Sequence, residues 1–201
     1  MEKILFLSVL VSVLVTLIIL PDWIKRAKKA GLTGKDMNKF NSIEVAEAGG
    51  IVVIAGFVLG ALTYIAIKTF YFQSSTNLIE ILALICTILL VSFIGMIDDI
   101  LEWKMGRSKK IRIFLILFAS IPLIVINAGE STILVPFLGV VNIGLLYTFI
   151  LIPIGIIGAT TTFNFLAGYN GLEAGQGILL LSALALASWI TGTSWLGLIA
   201  L

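Results

Sequence analysis

Leu78-Ile-Glu-Ile-Leu-Ala-Leu-Ile-Cys-Thr-Ile-Leu-Leu-Val-Ser-Phe-Ile-Gly-Met-Ile97 carries a single charge, near its start, and runs directly into Asp98-Asp99. As a helix it would rise about 30 Å, the thickness of a bilayer's hydrocarbon core. The segment therefore reads as a membrane-spanning helix that delivers two carboxylates to the membrane boundary. Apolar runs of similar length recur at 4–20, 50–67, 111–128, 143–160 and 176–191. With 60% hydrophobic and 12% charged residues and a mean hydropathy of +1.17, the chain lies outside the range of soluble domains. The expected fold is all-α, a polytopic transmembrane helix bundle with six complete spans, forming one transmembrane domain over residues 1–201. A further run restarts at Trp195-Leu-Gly-Leu-Ile-Ala-Leu201 and is too short to cross, so the chain reads as truncated inside a partial seventh span.

The first run follows only Glu2 and Lys3, is longer than a signal-peptide core, and ends at Pro21-Asp22 without a small-residue cleavage site, so it reads as a retained helix. Cys86, the lone cysteine, lies inside an apolar run, which excludes a disulfide framework or a cysteine-rich zinc site. The sequence has no histidine, so the commonest general base and metal ligand is missing and carboxylates must take over such work.

Orientation follows from the basic residues. The segment 21–49 carries Lys25, Arg26, Lys28, Lys29, Lys35 and Lys39, and the segment 98–112 carries Lys104, Arg107, Lys109, Lys110 and Arg112; the alternate loops carry almost none. The positive-inside rule then makes the first and third loops cytoplasmic and the N-terminus external. Counting helices places the fifth loop, Asn164-Phe-Leu-Ala-Gly-Tyr-Asn-Gly-Leu-Glu-Ala-Gly-Gln176, on the cytoplasmic face too, although it has no basic residue.

Three polar segments thus become candidate sites. Asp98 and Asp99 are expected at a helix C-terminus, where the dipole disfavours carboxylates and the two repel each other; a divalent cation or a proton-donating ligand would relieve both. A solvated helix end neutralised by Lys104, Arg107 and Lys109 explains them equally well. In the first loop, Asp36, Asn38 and Lys39 sit between glycines, whereas topology alone accounts for Lys25 to Lys29. Glu47, at the start of the second apolar run, is favoured on spacing as a helix cap. In the fifth loop, Asn164 and Asn170 offer amide oxygens to a metal or hydrogen bonds to a base, and glycines at 168, 171, 175 and 177 allow close backbone approach. Gly175 to Gly177 are expected just before the sixth helix, whose free N–H groups suit a phosphate. Re-entrant packing of small residues is the plainer alternative; four glycines with two asparagines favour a binding loop. The loop lacks the Gly-x-x-x-x-Gly-Lys pattern of nucleotide hydrolases. Arg107 to Arg112 suit anionic lipid headgroups, and orientation explains them as well.

Gly31-Leu-Thr-Gly-Lys-Asp-Met-Asn-Lys39 with Glu47-Ala-Gly-Gly50, then Gly95-Met-Ile-Asp-Asp99, then Asn164 to Gln176 resemble, in order and spacing, the polyprenyl-phosphate N-acetylhexosamine-1-phosphate transferases, glycosyltransferase family 4. The Asn-Gly-Leu-Glu-Ala-Gly-Gln form is similar to the eukaryotic and archaeal branch, the UDP-GlcNAc:dolichyl-phosphate GlcNAc-1-phosphate transferases. Bacterial relatives usually carry aspartates where this chain has Ala167 and Asn170. The resemblance implies that Asp98 and Asp99 are catalytic, that Asn164 binds a metal, Mg2+ with Mn2+ as the alternative, and that Met37, Glu47, Gly168 and Asn170 hold the nucleotide. This displaces the cap reading of Glu47. The family's lipid-phosphate-binding basic residue falls on Lys109 or Arg112, depending on the direction of counting, and Asp36, Asn38 and Lys39 remain first-loop candidates.

The resemblance implies transfer of a sugar phosphate from a UDP-sugar to a dolichyl or polyprenyl phosphate lipid, in the archaeal plasma membrane or the endoplasmic reticulum, with a cytoplasmic active site. A homodimer is among the assemblies it allows, and nucleic acid is not an expected partner. Family members run to about ten helices, and the later loop carrying another metal-binding aspartate and the sugar-reading arginines is absent from these 201 residues. Ala46 stands where the family usually has proline. Two alternatives stay open: a non-catalytic remnant, and an anion-binding transporter. The latter is disfavoured because the charges fall at helix ends rather than at mid-membrane.

Overall fold

The computed structural model describes residues 2–200 except 37, 40–42, 106–108, 128–130, 136, 166–168, 194–195 and 198–199; for 2–4, 98–105, 109–110 and 164–165 it describes the backbone alone. The chain forms two compact units, Met1–Leu78 with Ala167–Leu201, and Ile79–Leu166.

In the first unit, helix α1 (Glu2–Lys29) passes through Pro21 without ending. The expected loop at 21–49 therefore begins only after Lys29. Arg26, Lys28 and Lys29 occupy the last turn, where the helix dipole favours cations. Gly31, at φ 73°, closes the helix: Leu32 N donates to Ala27 O at 2.9 Å and Gly31 N to Lys28 O at 3.3 Å, the pattern of a glycine-terminated helix. Two short antiparallel strands follow, β1 (Thr33–Lys35) and β2 (Glu44–Ala46), in the register Thr33↔Ala46, Gly34↔Val45, Lys35↔Glu44. Helix α2 (Gly50–Ala66) continues through a π-helical turn to Tyr71.

Helices α1 and α2 pack through small residues. Ser8, Ser12 and Thr16 recur every four positions on α1, opposite Gly56 and Gly60 on α2. A Cβ on Gly60 would lie 2.8 Å from both Ser12 Cβ and the Ser8 carbonyl, and one on Gly56 would overlap Thr16 Oγ1. Glycine at both positions is what lets the two backbones approach. Helix α7 (Leu172–Ile190) completes this unit, and its N-cap is Gly171 at φ 82°. Gly175 thus lies inside the helix rather than before it, its N–H bonded to the Gly171 carbonyl at 2.9 Å.

In the second unit, α3 (Leu78–Met105) runs on past Asp98 and Asp99, so the pair sits within a helix and not at its end. Helices α4 (Lys109–Ala119) and α5 (Ile121–Ile126) are separated at Ser120, and Pro122 lies in the first turn of α5. Proline has no N–H to donate to the preceding turn. The Ser120 hydroxyl, at the break between the two helices, donates to the Leu117 carbonyl at 2.6 Å. Strands β3 (Thr132–Val135) and β4 (Gly139–Asn142) form an antiparallel hairpin between two apolar helices. A π-helical turn, Tyr147–Leu151, then leads into α6 (Ile152–Phe165). Ile94, Ile116 and Ala119 form this unit's buried cluster, with Val91, Leu115, Ile156 and Ile157 against it.

Among the described residues four helices are long and apolar enough to cross a membrane: Leu5–Lys29, Gly50–Tyr71, Leu78–Ile97 and Leu172–Ile190. The polytopic helical fold stands. The expected fourth and fifth spans are the shorter apolar helices Ile111–Ile126 and Tyr147–Phe163, and the expected partial seventh falls largely outside the described residues. Large apolar side chains such as Ile18, Leu179 and Ile190 are exposed along the helices, the reverse of a soluble domain and the arrangement a lipid surround requires.

Candidate functional site

Polar groups gather where the first loop meets the start of α7. The hairpin positions Asp36, whose N–H extends the ladder to Ile43 O at 3.0 Å. Asp36 Oδ1 accepts the backbone N–H of Asn38 at 3.1 Å, a local turn that aspartate readily forms. Asn170 reaches the same carboxylate from the other end of the sequence. Its Nδ2 lies 3.0 Å from Asp36 Oδ1 and 3.1 Å from Oδ2, and its Oδ1 accepts Asn38 Nδ2 at 3.1 Å. Lys39 Nζ stands 3.6 Å from Asp36 Oδ2.

Asp36 is buried, and burial opposes its charge. The Asn170 amide is the largest influence and lowers its pKa below the ordinary aspartate value; burial works against this, and the Asn38 N–H and Lys39 reinforce the lowering. The result is an ionised carboxylate tied into a clasp between two loops more than 130 residues apart.

Glu47 occupies a second position in the same hairpin. The N-cap of α2 is Gly49, with no side-chain cap. Glu47 instead donates its backbone N–H to Leu32 O at 3.1 Å and folds its side chain over β1, where a Cβ on Gly34 would overlap Glu47 Oε1. The spacing-based cap reading is thus replaced by a carboxylate laid across the strand. Trp23 Nε1, from the last turns of α1, donates to the Glu47 carbonyl at 3.2 Å and ties that residue to the helix.

Of the residues singled out in the sequence, Asp36, Asn38, Lys39 and Asn170 are brought together, and Glu47 lies in the same hairpin. Met37 and Gly168 fall outside the described residues. Asp98 and Asp99 on α3 and Asn164 in the last turn of α6 are described by backbone alone. Ile94 precedes Asp98 by one helical turn and Ile157 precedes Asn164 by two, and both belong to the cluster that unites their helices. Lys109 and Arg112 are three residues apart in the first turn of α4, so the two ways of counting select neighbouring positions on one helical face. Cations there oppose the helix dipole, which means something other than local helix preference keeps them in place. Among the described residues no group of three or more His, Cys, Asp or Glu side chains gathers as a metal site.

Trp23 was not recognised in the sequence, and Gly34 entered only as a bracketing glycine within the family motif. Gly34 could have been noticed as a glycine in an extended segment, a common mark of close approach by another group. Trp23 carried the weaker signal of an aromatic at a membrane boundary.

Residues 81–201 match the family model described as Glycosyl transferase family 4. A Sulfolobus acidocaldarius protein named "Putative UDP-N-acetylglucosamine--dolichyl-phosphate N-acetylglucosaminephosphotransferase" is 41% identical over 179 residues, 89% of this chain and 53% of the relative. A Saccharolobus solfataricus protein of the same name is 40% identical over 89% of this chain and 52% of its own length. A Dictyostelium discoideum UDP-N-acetylglucosamine--dolichyl-phosphate N-acetylglucosaminephosphotransferase is 30% identical over 88% of this chain and 46% of its own length. The chain spans about half the length of the curated relatives it matches.

Proposed function

Because this chain belongs to glycosyl transferase family 4, we propose that it carries the nucleotide-holding and lipid-facing part of an enzyme that moves GlcNAc-1-phosphate from UDP-GlcNAc to a dolichyl-type polyprenyl phosphate. In that reaction an oxygen of the lipid phosphate attacks the β-phosphorus of the nucleotide sugar. The bond from that phosphorus to UMP breaks, leaving GlcNAc-diphospho-lipid and UMP. The observation that carries the reading is the clasp: Asn170, the position the family gives to the base, is held by Asp36 and Asn38 of the first loop. Two segments separately matched to the nucleotide pocket are in direct contact.

The chain's own residues take the following parts. Asn170 and the Glu47 carboxylate hold the nucleoside, the role the family resemblance also gives to Met37 and Gly168. Asp98 and Asp99 keep the lipid phosphate ionised for attack. Lys109 and Arg112 sit in a helical first turn, where free backbone N–H groups and cations coincide, and attract that phosphate. A Mg2+ or Mn2+ ion held by Asn164 and the aspartates would supply charge neutralisation for the two anionic reactants. These loops face the cytoplasm, the N-terminus lies outside, and the membrane is an archaeal plasma membrane or the endoplasmic reticulum.

The test uses membranes from cells expressing the chain, alone and fused to the remaining C-terminal part of the Sulfolobus acidocaldarius relative. They are incubated with radiolabelled UDP-GlcNAc, dolichyl phosphate and magnesium. The fusion is expected to label lipid, and Asp99→Asn to reduce that label by about 100-fold or more. An expressed, folded fusion that labels no lipid would overturn the proposal. Labelling by the chain alone would show that the part missing relative to its relatives is dispensable.

A further inference from the structure

We infer that Asp36 and Asn38 fix which end of the Asn170 amide faces a pyrimidine, so that the clasp selects uracil over cytosine; the inference rests on the nucleotide-holding role proposed above for Asn170. A carboxylate accepts hydrogen bonds and donates none. The end of Asn170 lying 3.0 and 3.1 Å from the two Asp36 oxygens is therefore the NH2 group. Asn38 donates to the opposite end at 3.1 Å, and its backbone N–H holds the carboxylate in position at 3.1 Å. Rotating the Asn170 amide by half a turn would set its oxygen against the carboxylate and its NH2 against the Asn38 NH2. Asp36 is buried, so little water is available to relieve the clash at the carboxylate, whereas the Asn38 end is exposed and weighs less.

With one N–H shared between the two Asp36 oxygens, Asn170 keeps its second N–H on Nδ2 and, beside the Asn38 bond, one lone pair on Oδ1 for the base. Uracil presents an acceptor, O4, beside a donor, N3–H. Cytosine presents the reverse at the same two places, an N4 donor beside an N3 acceptor. An amide locked in one orientation pairs with one edge and opposes the other, and a site built to pair with a polar edge strongly rejects an unmatched one. An amide free to flip would accept either. Asp36 and Asn38 are thus positioning residues, acting on the base through Asn170.

The experiment measures equilibrium binding of UDP and of CDP, each with magnesium, to the full chain in detergent. Wild type should prefer UDP. Asp36→Asn replaces the obligate acceptor with a group that can donate or accept, and should lower the UDP-to-CDP preference by about fivefold or more. In an Asn170→Ala background the same substitution should leave the ratio unchanged. If Asp36→Asn does not fold, Asn38→Ala retains the carboxylate and should lower the ratio by a smaller factor. A folded Asp36→Asn or Asn38→Ala that weakens both nucleotides equally, or neither, overturns the inference while wild-type UDP selectivity upholds the nucleotide role. Wild type that binds neither nucleotide overturns that role and the inference with it.

Discussion

Asp36 and Gly34 lie two residues apart in one strand and its exit, and they shape the site in opposite ways. Asp36 supplies charge that the surroundings must stabilise, and its pKa is held down mainly by the Asn170 amide, with burial opposing. A carboxylate whose folded-state pKa is depressed stabilises the folded form above its unfolded pKa, and that contribution is lost as pH falls through the folded value. The clasp should therefore stay intact from neutral pH down through the range in which an ordinary aspartate protonates, and open only below it. The side-chain amide resonances of Asn170, followed by NMR from pH 7 to 3, would check this; movement beginning near pH 6 would contradict it, and Asp36→Asn should flatten the profile. Gly34 contributes room. Its φ is not in the left-handed region, so alanine fits the backbone and meets the Glu47 side chain first. Gly34→Ala should displace the Glu47 carboxylate and weaken UDP binding about tenfold, with no further loss in a Glu47→Ala background, as coupled neighbours behave.

At the scale of elements, the close packing of α1 on α2 is set by glycines whose replacement has nowhere to go. Gly60→Leu pushes a branched side chain into the Ser8 carbonyl and Ser12. It should lower stability by about 1–3 kcal/mol, as overpacking of a tight contact does. Thermal unfolding in detergent would register this, while Gly49→Ala, with open space around its Cβ, should change it little. The same elements show what the sequence could and could not reveal. Runs of apolar residues marked every long helix, because hydropathy tracks the solvent a helix faces. They did not mark where helices stop. Backbone hydrogen bonding carried α1 through Pro21 to Lys29 and α3 beyond Asp98 and Asp99 to Met105, since charged residues are as compatible with a helix as apolar ones. The hairpin β1–β2 was not legible, because three-residue strands are too short to show alternation. At the site, the candidate residues were legible by type, but the pairing of Asp36 with Asn170 depends on how the chain returns to itself, which no local pattern encodes.

For the whole molecule, that pairing constrains topology. Asn38 and Asn170 are hydrogen-bonded, so they lie on one side of the membrane and the chain between them crosses an even number of times. Helices α2 and α3 account for two crossings. The shorter helices Ile111–Ile126 and Tyr147–Phe163 must then either both cross or both turn back. A helix of sixteen residues is about 24 Å long, short of the roughly 30 Å hydrocarbon core. Such a deficit is met by local thinning of the bilayer at modest cost. The basic first turn of α4 favours crossing, because it anchors that end on the side proposed above to be cytoplasmic. The hairpin β3–β4 distinguishes the two cases: under the orientation proposed above it is external if both helices cross and cytoplasmic if neither does. In a Cys86→Ser background, Ser131→Cys should react with a membrane-impermeant maleimide in intact cells, as should Ser75→Cys between α2 and α3. Lys29→Cys and Glu173→Cys should react only after permeabilisation. A protected Ser131→Cys beside a reactive Ser75→Cys would show that α4 to α6 return without crossing, and would reduce the bundle to its four long helices.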